Sequence, residues 1–457
     1  LLSSIFVGTL LFCTQVAAAQ WHAPSPVLKD AAWHQGLTTK PQARETVAAA
    51  RAVQYDHAAL EGILAEAPQE FNAEERTGQT LDASGCRLAL PFPSDDISGW
   101  TPHPFRIVRS DVMAPELTAK YPEISSYLVQ SERNGLISGR IDLSPSGFHG
   151  ILHTPGGTVY IDPWTAGDLD QLMVYTRSEF MASTGKRRED CDVRMMGIGK
   201  DGTADGPGIL EDGKVTQRIG PPFGPTRRNY ALALACTGEY GQFHGGTVSS
   251  VLSAMNTSIN RINSIVEPEL AIRLTLIPDN EDLIFLNGAT DPYTNSNGGA
   301  MLSQNQTTID GIIGFNGYDI GHVFSTGGGG VAYLGSVCTS FKAGGVTGLP
   351  APVGDPFDVD YVAHEMGHQF GCNHTFNNSC SGNRSSADAY EPGSGSTIMS
   401  YSGICAPNLQ NFSDDVYHVH SMIEGSDYLH SGFGNTCATQ VSSGNSAPTV
   451  SVGLSTF

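Results

Sequence analysis

The sequence predicts an α+β protein in two parts: a hairpin-rich domain over 20–185, and a second domain over 229–440 in which strands alternate with long helices. Three observations carry this expectation. Short apolar segments that alternate with polar residues fill the first part, amphipathic runs of helical period appear in the second, and a Gly- and Pro-rich stretch over 186–228 separates them. The 457 residues have room for two to four domains at roughly 100–200 residues each. With 40% apolar and 16% charged residues, the chain can build ordinary cores and lacks the composition of disorder. The 46 acidic against 25 basic residues give a net charge of −21, which repels phosphate backbones and anionic headgroups and argues against nucleic acid as a partner.

In chain order, the apolar run Ile5–Phe12 followed by Ala17-Ala18-Ala19 reads as a signal peptide over 1–19, so the protein is expected to be secreted and extracellular. That run is too short to cross a bilayer, and no other stretch reaches the roughly 18–20 apolar residues a membrane span needs. No membrane insertion is expected. Phe105-Arg106-Ile107-Val108 and Gly157-Thr158-Val159-Tyr160-Ile161 are strand candidates of the first domain. Lys186-Arg187-Arg188 and Arg227-Arg228 bracket a stretch with the composition of an exposed, cleavable linker.

Beyond it, Tyr230, Leu232, Leu234 and Cys236 alternate as in a strand. Val248, Val251, Leu252, Met255, Ile259, Ile262 and Val266 then recur at helical spacing, and Leu270, Ile272, Leu274 and Leu276 alternate again. This is a strand–helix–strand unit whose two strands should be parallel. A second helix near Met301–Ile313 and strands at Ile320–Ser325 and Val331–Cys338 should follow, with the Gly327–Gly330 run as the hairpin turn between those strands. Residues 441–457 read as a linker running into a further module.

Outside the signal lie Cys86, Cys191, Cys236, Cys338, Cys372, Cys380, Cys405 and Cys437. None forms Cys-x-x-Cys, and an even count in an exported chain favours disulfides, with no pairing chosen by the sequence.

The chemistry is concentrated in His364-Glu365-Met366-Gly367-His368-Gln369-Phe370-Gly371-Cys372-Asn373-His374. Residues four apart on a helix stand one turn apart on one face, so His364 and His368 can share a metal ion. Glu365, rotated by about 100°, does not align as a ligand but can reach a water on that metal, the place of a general base. A continuing helix would turn His374 away. Gly371 can take a positive φ, end the helix and return His374 as third ligand. Three neutral imidazoles leave the fourth position of a tetrahedral Zn²⁺ open for water, whose pKa the ion lowers to about 7.

This pattern, with Met399 in Gly395-Ser396-Thr397-Ile398-Met399-Ser400-Tyr401, resembles the metzincin zinc endopeptidases, which carry the long zinc motif followed by a Met-turn. Within that clan the chain from about Arg228 to Cys437 is similar to the reprolysin-like secreted bacterial metalloproteases, and Phe105–Tyr175 is similar to their propeptide. The resemblance implies a metzincin-like catalytic domain with a mixed twisted sheet, long helices and a zinc cleft between two subdomains. It implies a zymogen with its own propeptide as inhibitor, protein or peptide substrates, and a substrate lying along an edge strand, for which Val331–Cys338 is the candidate. Met399 would be a structural residue beneath the metal. Tyr401 occupies the place of the fifth zinc ligand of astacins and serralysins, which implies zinc ligation, oxyanion stabilisation, or packing beside the Met-turn. Thr375 stands where adamalysins carry Asp. Cys191 could block the zinc as a cysteine switch or pair with Cys86.

Two further clusters read as ordinary surface. His418 and His420, two apart on a probable helix, point to different faces and suit a solvated surface better than a second metal. Asp279, Glu281, Asp282 and Asp291 could bind a structural Ca²⁺ but lack the spacing of an EF-hand, which leaves an acidic loop. A zinc-binding adhesion or recognition module without catalysis is the alternative function, against which the presence of Glu365 speaks.

Overall fold

The computed structural model describes residues 21–22, 50–72, 77–94, 99–183, 225–327 and 329–443. The expectations for the signal segment, for Cys191 with nearly all of the linker, and for the tail beyond 443 fall outside those residues. The chain divides into two compact units: one contains Val47–Ser110 and Ser125–Phe180, the other Asp111–Ile124 and Met181–Phe457.

The first unit is a nine-stranded antiparallel sheet: β1 (Trp21–His22), β2 (Arg51–Tyr55), β3 (Arg87–Pro93), β4 (Trp100–Arg109), β5 (Ser125–Ser131), β6 (Ser138–Ser144), β7 (Gly147–Thr154), β8 (Gly157–Pro163) and β9 (Gln171–Thr176). Their order, β1-β2-β9-β8-β7-β6-β5-β4-β3, is the meander that hairpin patterning leads to, and the two predicted strand segments lie in β4 and β8. Thr154 pairs with Gly157 across the two-residue turn Pro155-Gly156, and Gly157 has φ +111°, a conformation that favours glycine. Helix α1 (His57–Ala65), capped by Asp56, buries Leu60 and Leu64 in the apolar cluster with Val53, Phe105, Tyr127 and Phe148.

The second unit contains α2 (Pro115–Lys120), β10 (Thr226–Cys236), α3 (Gly238–Phe243), α4 (Val248–Leu270), β11 (Ile272–Leu276), α5 (Gly298–Ile312), β12 (Ile320–Ser325), β13 (Gly329–Ala332), β14 (Gly345–Gly348), α6 (His364–Gln369), α7 (Val419–Ser426) and β15 (Thr439–Ser442). Its six-stranded sheet runs β11-β10-β12-β14-β13, with β15 also paired to β10. β10 and β11 are parallel, as the strand–helix–strand pattern requires. Alternation along β10 explains the layers. Tyr230, Leu232, Leu234 and Cys236 face the cluster containing α4 and α6, whereas Ala233 and Ala235 face the one containing Met301, Leu302 and Ile309 of α5.

Several expectations change. The strand expected at Val331–Cys338 is Gly329–Ala332, so Gly329 and Gly330 are strand residues rather than a hairpin turn. β12 pairs in parallel with β14, which pairs antiparallel with β13. Arg227 and Arg228 stand inside β10, where Arg228 is buried with its Nε donating to Asn435 Oδ1 at 3.2 Å, so this basic pair is not an exposed cutting site. Cys338 pairs with Cys437 and Cys380 with Cys405, but Cys236 and Cys372 are buried thiols. An even count fixes no pairing. These two sit inside the sheet–helix packing, where their sulfurs meet the carbonyls of Phe285 and Ser421.

Candidate active site

A turn at Asp355–Phe357 and a wide turn over Asp358–Ala363 lead directly into α6. The entry is pinned from the long helix: the Arg261 guanidinium donates to Asp358 Oδ2 at 2.9 Å and Ser258 to Oδ1 at 2.6 Å, all buried. Truncating one partner of such a pair leaves an uncompensated buried charge. At its other end α6 stops at Phe370, and Gly371 takes φ +95°, returning the chain so that His374 faces the helix.

The structure brings His364, His368 and His374 together. His374 Nε2 lies 3.2 Å from His364 Nε2 and 3.1 Å from His368 Nε2. Each Nδ1 meets a backbone carbonyl: Ile398 at 2.7 Å, Cys372 at 2.8 Å and Asn383 at 2.7 Å. A carbonyl accepts only, so Nδ1 carries the proton and the three Nε2 lone pairs aim at one point. Burial holds His368 down at about 4 and His374 well below its ordinary value, so both imidazoles are neutral. Nitrogens bound at about 2.05 Å to a tetrahedral zinc stand about 3.3 Å apart. The donor set therefore fits Zn²⁺ in chemistry and in span.

Glu365 is fully buried, and a Cβ added to Gly330 of β13 would overlap its carboxylate. The edge strand and the glutamate thus pack together because residue 330 has no side chain. Gly367 does the same beneath the site: a Cβ there would stand 2.5 Å from Met399 Sδ and 3.1 Å from the Tyr417 ring. The turn carrying Met399 also supplies the Ile398 carbonyl to His364 and the Met399 carbonyl to the Thr375 N–H at 3.2 Å.

Residues 226–423 match the family model of the reprolysin-like metallo-peptidase family M12B. This region is a reprolysin-like zinc metallopeptidase domain. Among solved structures, the chain is similar to metalloproteinase-II from Bacteroides fragilis, with 10% identity and a TM-score of 0.43 over 81% of this chain and 94% of that one. A chaperone–substrate complex is similar at 12% identity and a TM-score of 0.26, over 44% of this chain and 35% of that one. No curated protein matches.

In the reprolysin-like domain, Thr375 does not stand alone. Its hydroxyl donates to Glu391, whose carboxylate also accepts from Thr397 Oγ1 at 2.6 Å and from the Ser396 and Thr397 N–H groups at 2.8 and 3.0 Å. Burial alone would raise the Glu391 carboxyl, but these hydrogen bonds outweigh it and hold it below the usual range. Sequence reasoning missed Glu391, which ties the residue after the third histidine to the Met-turn. Tyr401 is buried, its ring 4.6 Å from that of His374, 5.9 Å from that of His364, and stacked at 4.3 Å on Phe376.

His418 and His420 are not a solvated surface. His418 caps α7 by accepting from the His420 N–H, and His420 is half-buried, 2.8 Å from Asp388 and 3.7 Å from Glu424. The Asp388 hydrogen bond raises the imidazole, Asn373 donates to Glu424 at 2.6 Å, and Asp388, His420 and Glu424 stand close enough to share a metal ion, so the second-metal alternative has a cluster at His420 and none at His418. Calcium finds no support. Asp279 and Glu281 engage Lys120, while Asp291 accepts from the Gly238 and Tyr293 N–H groups, and among the described residues none of the four acids belongs to a metal-competent cluster.

Proposed function

We propose that this protein is a secreted endopeptidase, made as a zymogen, that cleaves protein and peptide chains with Glu365 as general base. The observation that carries the chemistry is the convergence of three buried, carbonyl-anchored imidazoles, two of them on the helix that also carries the buried Glu365. His364, His368 and His374 would hold a Zn²⁺ ion, which would lend Lewis acidity to the scissile carbonyl and acidify the attacking water. Glu365 takes the proton of that water and passes it to the leaving amine.

The substrate lies extended along β13, at the end of the sheet order, as an added antiparallel strand. Tyr401 is assigned to the negative charge that develops on the carbonyl oxygen, supported by its position against His374. Export and latency rest on the signal-like segment and on the domain preceding the linker.

Zinc content and cleavage of a denatured protein substrate test this reading. Glu365→Gln should retain one zinc and lose turnover, a chelator should abolish cleavage, and Tyr401→Phe should lower kcat by about 100-fold with KM little changed. Stoichiometric zinc without cleavage, before and after the linker is cut, would instead favour a binding module.

A further inference from the structure

β11 is the outermost strand of the peptidase sheet on the side away from β13. Its outer edge is not bare. Met113 forms a parallel bridge with Leu276: the Leu276 N–H donates to the Val112 carbonyl at 2.8 Å, and the Ala114 N–H donates to the Leu276 carbonyl at 2.9 Å. Helix α2 follows at once. Val112, Met113, Leu117 and Ile124 are each at most 3% exposed and belong to the same apolar cluster as Tyr230, Leu274 and Leu276. Lys120 donates to the Pro278 carbonyl at 3.1 Å and to Asp279 at 3.0 Å, and pairs with Glu281; Glu123 accepts from Ser249 at 2.8 Å.

This strand–helix segment comes from the chain that precedes the linker. It connects β4, ending at Arg109, to β5, starting at Ser125, and those two strands pair with each other in the nine-stranded sheet of the first unit. Both ends of the segment therefore return to the first unit. Removing it from β11 would uncover apolar side chains and an unpaired strand edge, a combination that costs free energy and invites aggregation.

We infer that the outer edge of β11 is a docking surface for residues 112–124, and that this docking outlasts a cut in the linker. The N-terminal domain stays bound to the peptidase domain as a strand-donating partner after the covalent connection is lost.

The test is a full-length chain carrying a site for a specific protease within 190–220, cut to completion and passed over a sizing column at micromolar concentration. Both fragments should elute together at the 48.4 kDa of the uncut chain. Ala114→Pro removes the ladder N–H and sets the ring Cδ against the Leu276 carbonyl, while the Ala114 φ of −56° already lies within the proline range, so the change acts at the docked edge. It should release the fragments at least about fivefold more readily, one backbone hydrogen bond being the minimum lost. Leu117→Asp should separate them outright, and Ala114→Pro keeps the test decisive if that variant fails to fold. Wild-type fragments that elute apart, each folded by circular dichroism, would overturn the inference, as would release by Ala114→Pro and Leu117→Asp no faster than wild type. Co-elution is read without peptidase activity, so failure here leaves the zinc chemistry standing.

Discussion

Each metal-facing histidine is held by a carbonyl, but only the histidines themselves are legible in the sequence. His364, His368, Glu365 and His374 follow from helix geometry and one glycine. Glu391 does not, because its partners Thr375, Thr397 and Ser396 meet it through a loop rather than a periodic element. Glu391→Ala should weaken zinc binding about 10- to 100-fold, the usual effect of losing an outer-shell support, as measured by competition with a chromogenic chelator. Wild-type zinc affinity in that variant would remove the carboxylate from the support of the site. Gly367 makes a second case. Gly367→Ala forces a methyl onto Met399 Sδ and Tyr417, and should destabilise the domain by about 1–3 kcal/mol in urea unfolding.

Among elements, long periodic ones were legible and short ones were not. β10 has 11 residues and α4 has 23, whereas β13 and β14 have four residues each and are rich in glycine. Four residues with glycines carry no period, so their pairing depends on tertiary packing. Gly330 belongs to that packing: Gly330→Ala should displace Glu365 and lower kcat/KM strongly with zinc content unchanged.

The same region contains His322 on β12, fully buried between Gln369 and Thr347 at 2.8 Å each. Burial pushes its imidazole down to about 4 from an ordinary 6.5. Below about pH 6.5 the unfolded chain takes up a proton that the native state refuses. Stability is therefore full above that pH and falls by about 1 kcal/mol per pH unit down to about pH 4. His322→Gln should flatten that part of the slope in unfolding measured at pH 7 and pH 5.

For the molecule as a whole, the acidic balance and the two-part architecture are visible in composition and periodicity, whereas the association of 111–124 with the peptidase unit is not. The short helix Pro115–Lys120 has no signature distinguishing a local connection from an insertion into another sheet. Disulfide pairing was equally invisible, yet the two bonds have separable consequences. Cys338–Cys437 spans 99 residues and joins the segment after β13 to the one before β15, whereas Cys380–Cys405 spans 25 and joins the loop after His374 to the chain after Tyr401. By loop-closure entropy the longer bond constrains the unfolded chain more, about 4–5 against about 3–4 kcal/mol. Replacing both members of the 338–437 pair by serine should therefore lower the unfolding midpoint more and leave zinc affinity unchanged. Replacing the 380–405 pair should loosen the loop whose Asn383 carbonyl orients His374, and so weaken zinc binding beyond its effect on stability. Equal losses of zinc affinity in the two double variants would show that the 380–405 bond does nothing specific for the metal centre.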